Sequence, residues 1–278
     1  YGLIGYPVSH SLSPVMQNAA FRTMNHDAVY FCVPVRKNAL HQAIDGIRSL
    51  GISGVNVTIP HKIAILSYLD KLDSVAAEIG AVNCVVNQEK VLTGYNTDGL
   101  GALKTLKAAH IPLDNQDITM IGAGGTTKAI AYYLAPLCNS LNIINRTEAK
   151  AVQLASTLQE RFKKQVTGNP LNMSTLRKAL DTTEILINTT SVGMHPNSEK
   201  SIVPKALLHS DLVVFDVVYT PLTTQLLKDA EQAGARTING LQMLVYQGAQ
   251  AFNLWTGLEA PIPTMYHSAQ RALIEKNT

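Results

Sequence analysis

Short unbroken apolar runs alternate along this chain with stretches whose apolar residues recur at helical spacing. Residues 2–5, 29–33 and 54–59 read as strands, and runs of this kind suit strands buried on both faces of a sheet. Between the first two a helix opens at Pro14, with Ser13 as its N-cap, and carries Val15, Met16, Ala19 and Ala20. Further helical stretches fall at 39–50, 63–68 and 74–79, and 82–86 with 91–94 read as a hairpin or neighbouring strands. A helix at 100–109 leads into a second alternating set, with strands at 118–121, 141–144, 184–188, 212–218 and 236–238. Helices at 148–162, 174–180 and 222–233 lie between these strands, and two more, one through Leu241 to Trp255 and one at 265–274, follow the last. The pattern predicts an α/β protein of two α/β domains flanking a cleft, the second a Rossmann-type dinucleotide-binding domain. The first domain has few helices for its strands, so the closing helices are expected to return to it. The boundaries are then 1–101 plus 240–278, and 102–239.

The centre of the second half is Ile118 to Lys128, where an apolar run stops at Gly122-Ala123-Gly124-Gly125 and a helix follows, carrying Ala129, Ile130, Tyr133 and Leu134. Strand, glycine turn and helix bring free N–H groups close to a phosphate. Gly125 stands one place before the third glycine of the usual G-x-G-x-x-G, and Thr127 occupies that last place. The next strand ends at Asn145-Arg146-Thr147, with Lys150 behind it. An NAD site usually places a carboxylate there, about 20 residues beyond the glycines. A guanidinium instead grips a 2′-phosphate in bidentate fashion. The position reads as NADP; a solvated loop arginine is the other reading.

Composition narrows the classes. The chain has 278 residues, 46% of them hydrophobic and 15% charged, with a formal net charge of +3. That is enough apolar material for a full core and argues against disorder. Basic residues are scattered, so nothing suggests nucleic acid. No stretch approaches the ~18 apolar residues of a membrane helix. Cys32, Cys84 and Cys138 are odd in number and widely spaced. They read as buried thiols in a reducing compartment. The chain opens without a charged-then-apolar leader, so the expected location is cytoplasmic. The eight histidines show no metal spacing, and no metal is expected. Hydrolase, redox-thiol and NTPase motifs are missing from the chain.

Candidate chemistry sits at strand ends. Asn56-Val-Thr58-Ile-Pro60-His61-Lys62 places Asn56 and Thr58 on one face and stiffens the exit before Lys62. An ammonium there suits a group that holds and protonates an oxygen, whereas the plain reading is a solvated lysine at a helix start. Asp98 pairs with Lys62 in one reading and is a turn residue and N-cap in the other. Ser11 and Ser13 are suitable donors for a carboxylate. Asn188-Thr-Thr-Ser191 lines a ribose or turns the chain. His61 reads as an exposed loop histidine, and His10 as a shaper of the serine loop.

The motifs Gly5-Tyr-Pro7, His10-Ser11-Leu-Ser13-Pro14, Gly54-Val-Asn56-Val-Thr58-Ile-Pro60-His-Lys62, Gly80-Ala-Val-Asn83, Gly94-Tyr-Asn96-Thr97-Asp98-Gly99, Gly122-Ala-Gly-Gly125, Asn145-Arg-Thr147, Asp216-Val-Val-Tyr219-Thr-Pro221-Leu-Thr-Thr224 and Met243-Leu-Val-Tyr-Gln247, taken in this order, resemble the shikimate dehydrogenase family. The resemblance covers essentially the whole chain. It implies NADPH-dependent reduction of 3-dehydroshikimate to shikimate, on the route to aromatic amino acids. It further implies that Ser11 and Ser13 hold the substrate carboxylate with help from Tyr219. Thr58, Asn83, Asp98 and Gln247 would take the ring hydroxyls, and Lys62 with Asp98 would form the catalytic pair. NADP would be surrounded by Gly122, Ala123, Gly124, Gly125, Thr126, Asn145, Arg146, Thr147, Lys150, Thr189, Val217 and Gly240. Three positions depart from the family pattern: Thr126-Thr127 where alanines are common, Lys150 where a second arginine is frequent, and Gln242 where glycine often stands. The rival readings are a quinate/shikimate dehydrogenase using NAD and a non-catalytic sensor of the same ligands. Partners are expected to be small molecules, with no nucleic acid or membrane, in a monomer or homodimer.

Overall fold

The computed structural model describes residues 1–277. Its backbone contacts divide the chain into two units, Tyr1–Gly101 with Leu244–Thr278, and Ala102–Met243. Gly240 to Met243, expected with the first domain, fall in the second unit. There Gly240 N–H bonds to the Val218 carbonyl and Met243 packs into the core.

In the first unit β1 (Gly2–Gly5), α1 (Ser13–Thr23), β2 (Phe31–Pro34), α2 (Leu40–Ser49) and β3 (Gly54–Val57) form parallel βα repeats. A 3₁₀ segment at Ala64–Tyr68 precedes β4 (Lys71–Leu72) and α3 (Ser74–Ile79). Then β5 (Cys84–Gln88) and β6 (Val91–Tyr95) make an antiparallel hairpin. The sheet order is β2-β1-β3-β5-β6-β4. It is mixed, because β5 runs antiparallel to both β3 and β6. The hairpin turn puts both Glu89 (φ 51°) and Lys90 (φ 68°) in the left-handed region. That is the geometry of a primed turn, made here without the usual Asn-Gly. Ile44 and Ile47 of α2 pack on Ile4, Val55 and Val57 of the sheet.

The helix α4 (Asp98–Ala108) starts in this unit, and α9 (Leu241–Thr256) and α10 (Ile262–Asn277) close the chain. Three contacts bind α9 to the N-terminal part of the first unit. Gln17 Nε2 donates to the Gly248 carbonyl at 2.9 Å, Trp255 Nε1 donates to the Val85 carbonyl at 3.0 Å, and Trp255 stacks on Tyr1 at 5.1 Å. Gly54 faces that tryptophan so closely that a Cβ would lie 2.3 Å from Trp255 Nε1 and 2.9 Å from the Val85 carbonyl. Overpacking of this kind costs about 1–3 kcal/mol. Gly54→Ala is therefore expected to lower the thermal midpoint by roughly 2–8 °C in a circular-dichroism melt. An unchanged midpoint would mean that Trp255 is not wedged there.

The second unit is doubly wound. Its strands β7 (Asp117–Ile121), β8 (Ser140–Asn145), β9 (Gln165–Pro170), β10 (Ile185–Asn188), β11 (Val213–Asp216) and β12 (Arg236–Ile238) form a parallel sheet in the order β12-β11-β10-β7-β8-β9. This is the 3-2-1-4-5-6 order of dinucleotide-binding sheets, with its switch point between β7 and β10. The helices α5 (Gly125–Leu134), α6 (Glu148–Phe162), α7 (Met173–Leu180) and α8 (Gln225–Gln232) pack on it. Two edge strands, β4 and β9, were not apparent in the sequence. The burial that makes a strand visible there is weak, since β4 is exposed throughout and only Val166 of β9 is fully covered. Helix α8 begins at Gln225 rather than 222, because Thr224 Oγ1 accepts from Leu227 N–H and sets the cap.

Candidate active site

Lys62 and Asp98 are 36 positions apart and meet. Nζ lies 2.5 Å from Asp98 Oδ2, with the side chains 14% and 6% exposed. The turn that presents Lys62 is pinned from below. His61, expected in solvent, is buried, and its Nε2 bonds to the Val35 carbonyl at 2.7 Å. Burying the imidazole there satisfies a backbone group and lets the next side chain, Lys62, project the other way. Asp98 is not an N-cap: it is the first residue of α4, and Asn96 Oδ1 accepts its N–H at 3.1 Å. That releases the carboxylate for Lys62.

The second oxygen of Asp98 accepts from Asn83 Nδ2 at 2.7 Å. The same amide nitrogen lies 2.9 Å from Thr97 Oγ1 and 3.2 Å from Gln247 Oε1. An amide carries two hydrogens, so three acceptors compete for them. Gln247, the most distant, is the acceptor most readily given over to a ligand hydroxyl. Asn83 Oδ1 takes the Thr97 N–H at 2.7 Å. Below it Asn56 donates to the Asn83 carbonyl at 3.1 Å and accepts from Tyr30 Oη at 2.8 Å. Tyr30 was given no part in the sequence reading, and Asn56 and Thr97 stood there in polar clusters at strand ends without a role assigned to either. Their signal was polar residues inside apolar strand ends, which alone does not tell a prop from a ligand contact.

The serine loop also differs from expectation. Ser13 is not the N-cap of α1 but its first residue, and its N–H donates to Ser11 Oγ at 3.2 Å. Ser13 is buried and Ser11 half-buried. Thr58 is half-buried in the segment leading to Lys62, and its methyl is one reason position 5 is glycine: a Cβ there would lie 2.4 Å from it.

In the second unit Gly122 follows β7 at φ 125°, and a Cβ on it would meet Thr189 Oγ1 at 2.4 Å. The fold itself demands glycine there. Gly124 is different: its φ is −89° and an added Cβ would meet nothing within 4 Å. The protein leaves that space open at the head of α5, and a helix N-terminus favours an anion. Thr127 Oγ1 accepts the Gly124 N–H at 3.2 Å and bonds to Thr189 Oγ1 at 2.7 Å; Thr189 in turn donates to the Ile121 carbonyl. Ala123, Gly125 and Thr126 line this turn, and Asn145 closes β8 with Nδ2 on the Thr147 carbonyl. Arg146, Thr147 and Lys150 are exposed. Val217 and Tyr219 are half-buried in the loop after β11, and Gly240 is buried beside Val217. Asn188 is buried and takes the Thr190 N–H on its side-chain oxygen, which turns the chain after β10.

Two cysteines, Cys84 and Cys138, are buried and burial pushes both thiols up, Cys138 to about 11; Cys32, expected to be buried too, is only half so. Among the described residues no three His, Cys, Asp or Glu side chains gather to hold a metal, and no helix is long and apolar enough to cross a membrane.

A doubly wound sheet with a glycine turn at its switch point, in a chain that also carries a buried lysine–carboxylate pair, defines a dinucleotide-dependent α/β dehydrogenase. Family models agree in detail. The shikimate dehydrogenase substrate binding domain matches residues 3–85, shikimate / quinate 5-dehydrogenase matches 104–243, and the shikimate 5′-dehydrogenase C-terminal domain matches 240–270. The shikimate dehydrogenase (NADP(+)) of Thermococcus kodakarensis is 49% identical over 275 residues, covering 99% of this chain and 97% of the relative. A crystal structure of a shikimate dehydrogenase in complex with NADP+ superposes with a TM-score of 0.90 at 43% identity, over 98% of this chain and 94% of that one. The Thermus thermophilus shikimate 5-dehydrogenase in complex with NADP(H) and shikimate gives 0.85 at 36% identity, over 98% of each chain. The chain belongs to the shikimate dehydrogenase family.

Proposed function

We infer that the chain works as its family does: it is an NADP-dependent shikimate dehydrogenase, interconverting 3-dehydroshikimate and shikimate. The observation that carries this is the Lys62–Asp98 pair, held at 2.5 Å beside Asn83 and Gln247. A nearly buried ion pair is a weak source of stability. Placed among hydroxyl-binding amides, it reads as chemistry.

Ser11 and Ser13 donate to the substrate carboxylate, with Tyr219 assisting. Thr58, Asn83, Asp98 and Gln247 take the ring hydroxyls. Such contacts, remote from the reacting carbon, fix its orientation. NADPH, when bound, supplies the hydride for the ring ketone. Lys62 Nζ donates a hydrogen bond to the ketone oxygen and passes it a proton as negative charge develops there. Asp98 Oδ2 aims that ammonium, and Asp98 itself cannot swing away because Asn83 holds its other oxygen. In the reverse direction the amine of Lys62 takes the proton from the hydroxyl.

The residues of the second unit suit NADP. The open space at Gly124 would leave room for the pyrophosphate, which Gly122, Ala123, Gly124, Gly125 and Thr126 would hold. Asn145 stands where a carboxylate would repel a 2′-phosphate, and Arg146 with Lys150 supplies positive charge. Thr147, Thr189, Val217 and Gly240 complete this set. Gly124→Ala is expected to keep the thermal midpoint, since Ala tolerates that backbone, while weakening NADP+ binding by about tenfold or more in a fluorescence titration. Gly122→Ala should lower the midpoint as well. Equal NADP+ affinity in Gly124→Ala would remove the pyrophosphate from that turn.

The deciding assay is shikimate-dependent reduction of NADP+, run beside NAD+ and beside quinate. Turnover fastest with shikimate and NADP+ supports the reading. Preference for quinate and NAD+ would make the chain a quinate/shikimate dehydrogenase, and tight shikimate binding without cofactor reduction would make it a sensor. A cytoplasmic location goes with this reading and with three cysteines outside any disulfide. The assembly is a monomer or homodimer, which sedimentation distinguishes.

A further inference from the structure

The second unit buries a carboxylate that this mechanism leaves unused. Asp216 closes β11 and is wholly buried. Its Oδ1 accepts from Asn188 Nδ2 at 3.0 Å and from the Val218 N–H at 3.1 Å, and its Oδ2 accepts from Thr224 Oγ1 at 2.7 Å. Three donors thus reach it from three places: the end of β10, the loop after β11 and the cap of α8. None is a cation. Burial pushes its carboxyl up to about 6, against the opposing pull of these hydrogen bonds. An ionised group without a counter-charge is costly to bury, so anchoring α8 does not by itself account for a carboxylate at this position.

The surroundings supply another role. The side-chain oxygen of Asn188 accepts from both the Thr190 N–H at 3.0 Å and Thr190 Oγ1 at 2.7 Å. This bends the chain just after Thr189, whose hydroxyl donates to the Ile121 carbonyl and meets Thr127 at the glycine turn. On the other side the Val218 carbonyl accepts the Gly240 N–H at 3.3 Å, and a Cβ on Gly240 would lie 2.2 Å from the Val217 carbonyl. One carboxylate oxygen therefore ties together the segments that bear Thr189, Val217 and Gly240.

We propose that Asp216 is a positioning residue for the dinucleotide: its Oδ1, through Asn188 and the Val218 N–H, sets the places of Thr189 and Val217, while its Oδ2 only anchors α8. The proposal rests on the NADP reading of this unit. It separates two arms of one side chain, which substitutions can cut independently. Asp216→Asn keeps an oxygen for Asn188 and Val218 and turns its nitrogen to Thr224. Asn188→Ala and Asp216→Ala cut the first arm. Thr224→Val cuts only the second.

The test is NADP+ binding to the full chain by fluorescence titration, with thermal unfolding of each variant alongside. Asn188→Ala and Asp216→Ala are expected to raise the Kd about tenfold, whereas Asp216→Asn stays within about twofold of wild type. Thr224→Val should lower the thermal midpoint and leave the Kd unchanged. A merely structural Asp216 would instead make affinity follow stability, so that Thr224→Val weakens NADP+ as much as Asn188→Ala does; that result overturns the proposal. So does folded Asn188→Ala binding NADP+ as wild type does, a comparison that stands even where Asp216→Ala fails to fold. Wild-type protein that does not bind NADP+ at all overturns the cofactor reading, and the positioning role with it.

Discussion

Lys62→Ala is expected to lower kcat by about a thousandfold, in the middle of the range for loss of a general acid–base group, or about 4 kcal/mol of transition-state stabilisation. The KM for shikimate should stay within a few-fold, because Ser11, Ser13, Asn83 and Gln247, the residues proposed to hold the substrate, remain in place. The interaction lost is strongest when charge appears on the ketone oxygen, so it falls on kcat rather than on binding. The substitution also leaves Asp98 nearly buried without its cation, and removing one partner of a buried pair is destabilising. Thermal unfolding must therefore accompany the kinetics, with rates normalised to folded protein. Steady-state rates of shikimate-dependent NADP+ reduction decide the matter. A kcat near wild type would remove Lys62 from the chemistry, and an equal loss spread into KM would make it a binding group.

Arg146→Asp carries the second large effect. A hydrogen bond to a charged group contributes about 1.5–3 kcal/mol, so losing the guanidinium and placing a carboxylate against a 2′-phosphate should cost NADP+ roughly 10- to 100-fold in kcat/KM. NAD+ lacks that phosphate, and the new carboxylate can accept from its ribose hydroxyls. Its kcat/KM is expected to hold or rise, shifting the preference by about two orders of magnitude. Lys150 stays behind as a point charge and tempers the loss, since an ammonium cannot reproduce the planar fork. Raising the ionic strength should narrow the difference between wild type and variant, because both cations are exposed. An unchanged NADP+/NAD+ ratio in matched assays would show that the 2′-phosphate lies elsewhere.

The chain shows why some of this was legible early. The run at 118–121, the glycines after it, the helix that follows and the next strand are neighbours in sequence, so this strand–turn–helix–strand unit is local and reads directly. Helix positions fared similarly: α6 and α7 follow the apolar period closely because one face of each is buried. The first sheet was harder. That β5 enters between β3 and β6 antiparallel to both depends on which edges meet, and no residue pattern encodes that choice. His61 was misplaced for a related reason. A loop histidine is usually solvated, and only the Val35 carbonyl, 26 positions away, gives it a buried partner.

Taken alone, the amino-acid order determined the two alternating α/β halves, the glycine turn and the set of polar residues at the strand ends, because hydrophobic period and turn chemistry act over a few residues. The folded chain decided what each polar residue does. Lys62 gains its carboxylate partner only when sheet register carries Asp98 to it, Ser13 and Asp98 open their helices instead of capping them, with Ser11 and Asn96 accepting their N–H groups, and Asp216 becomes a hub when the ends of β10 and β11 and the cap of α8 deliver its donors. Hydrogen bonds of this kind form over about 3 Å between residues distant in sequence, so their partners are chosen by packing and not by local pattern.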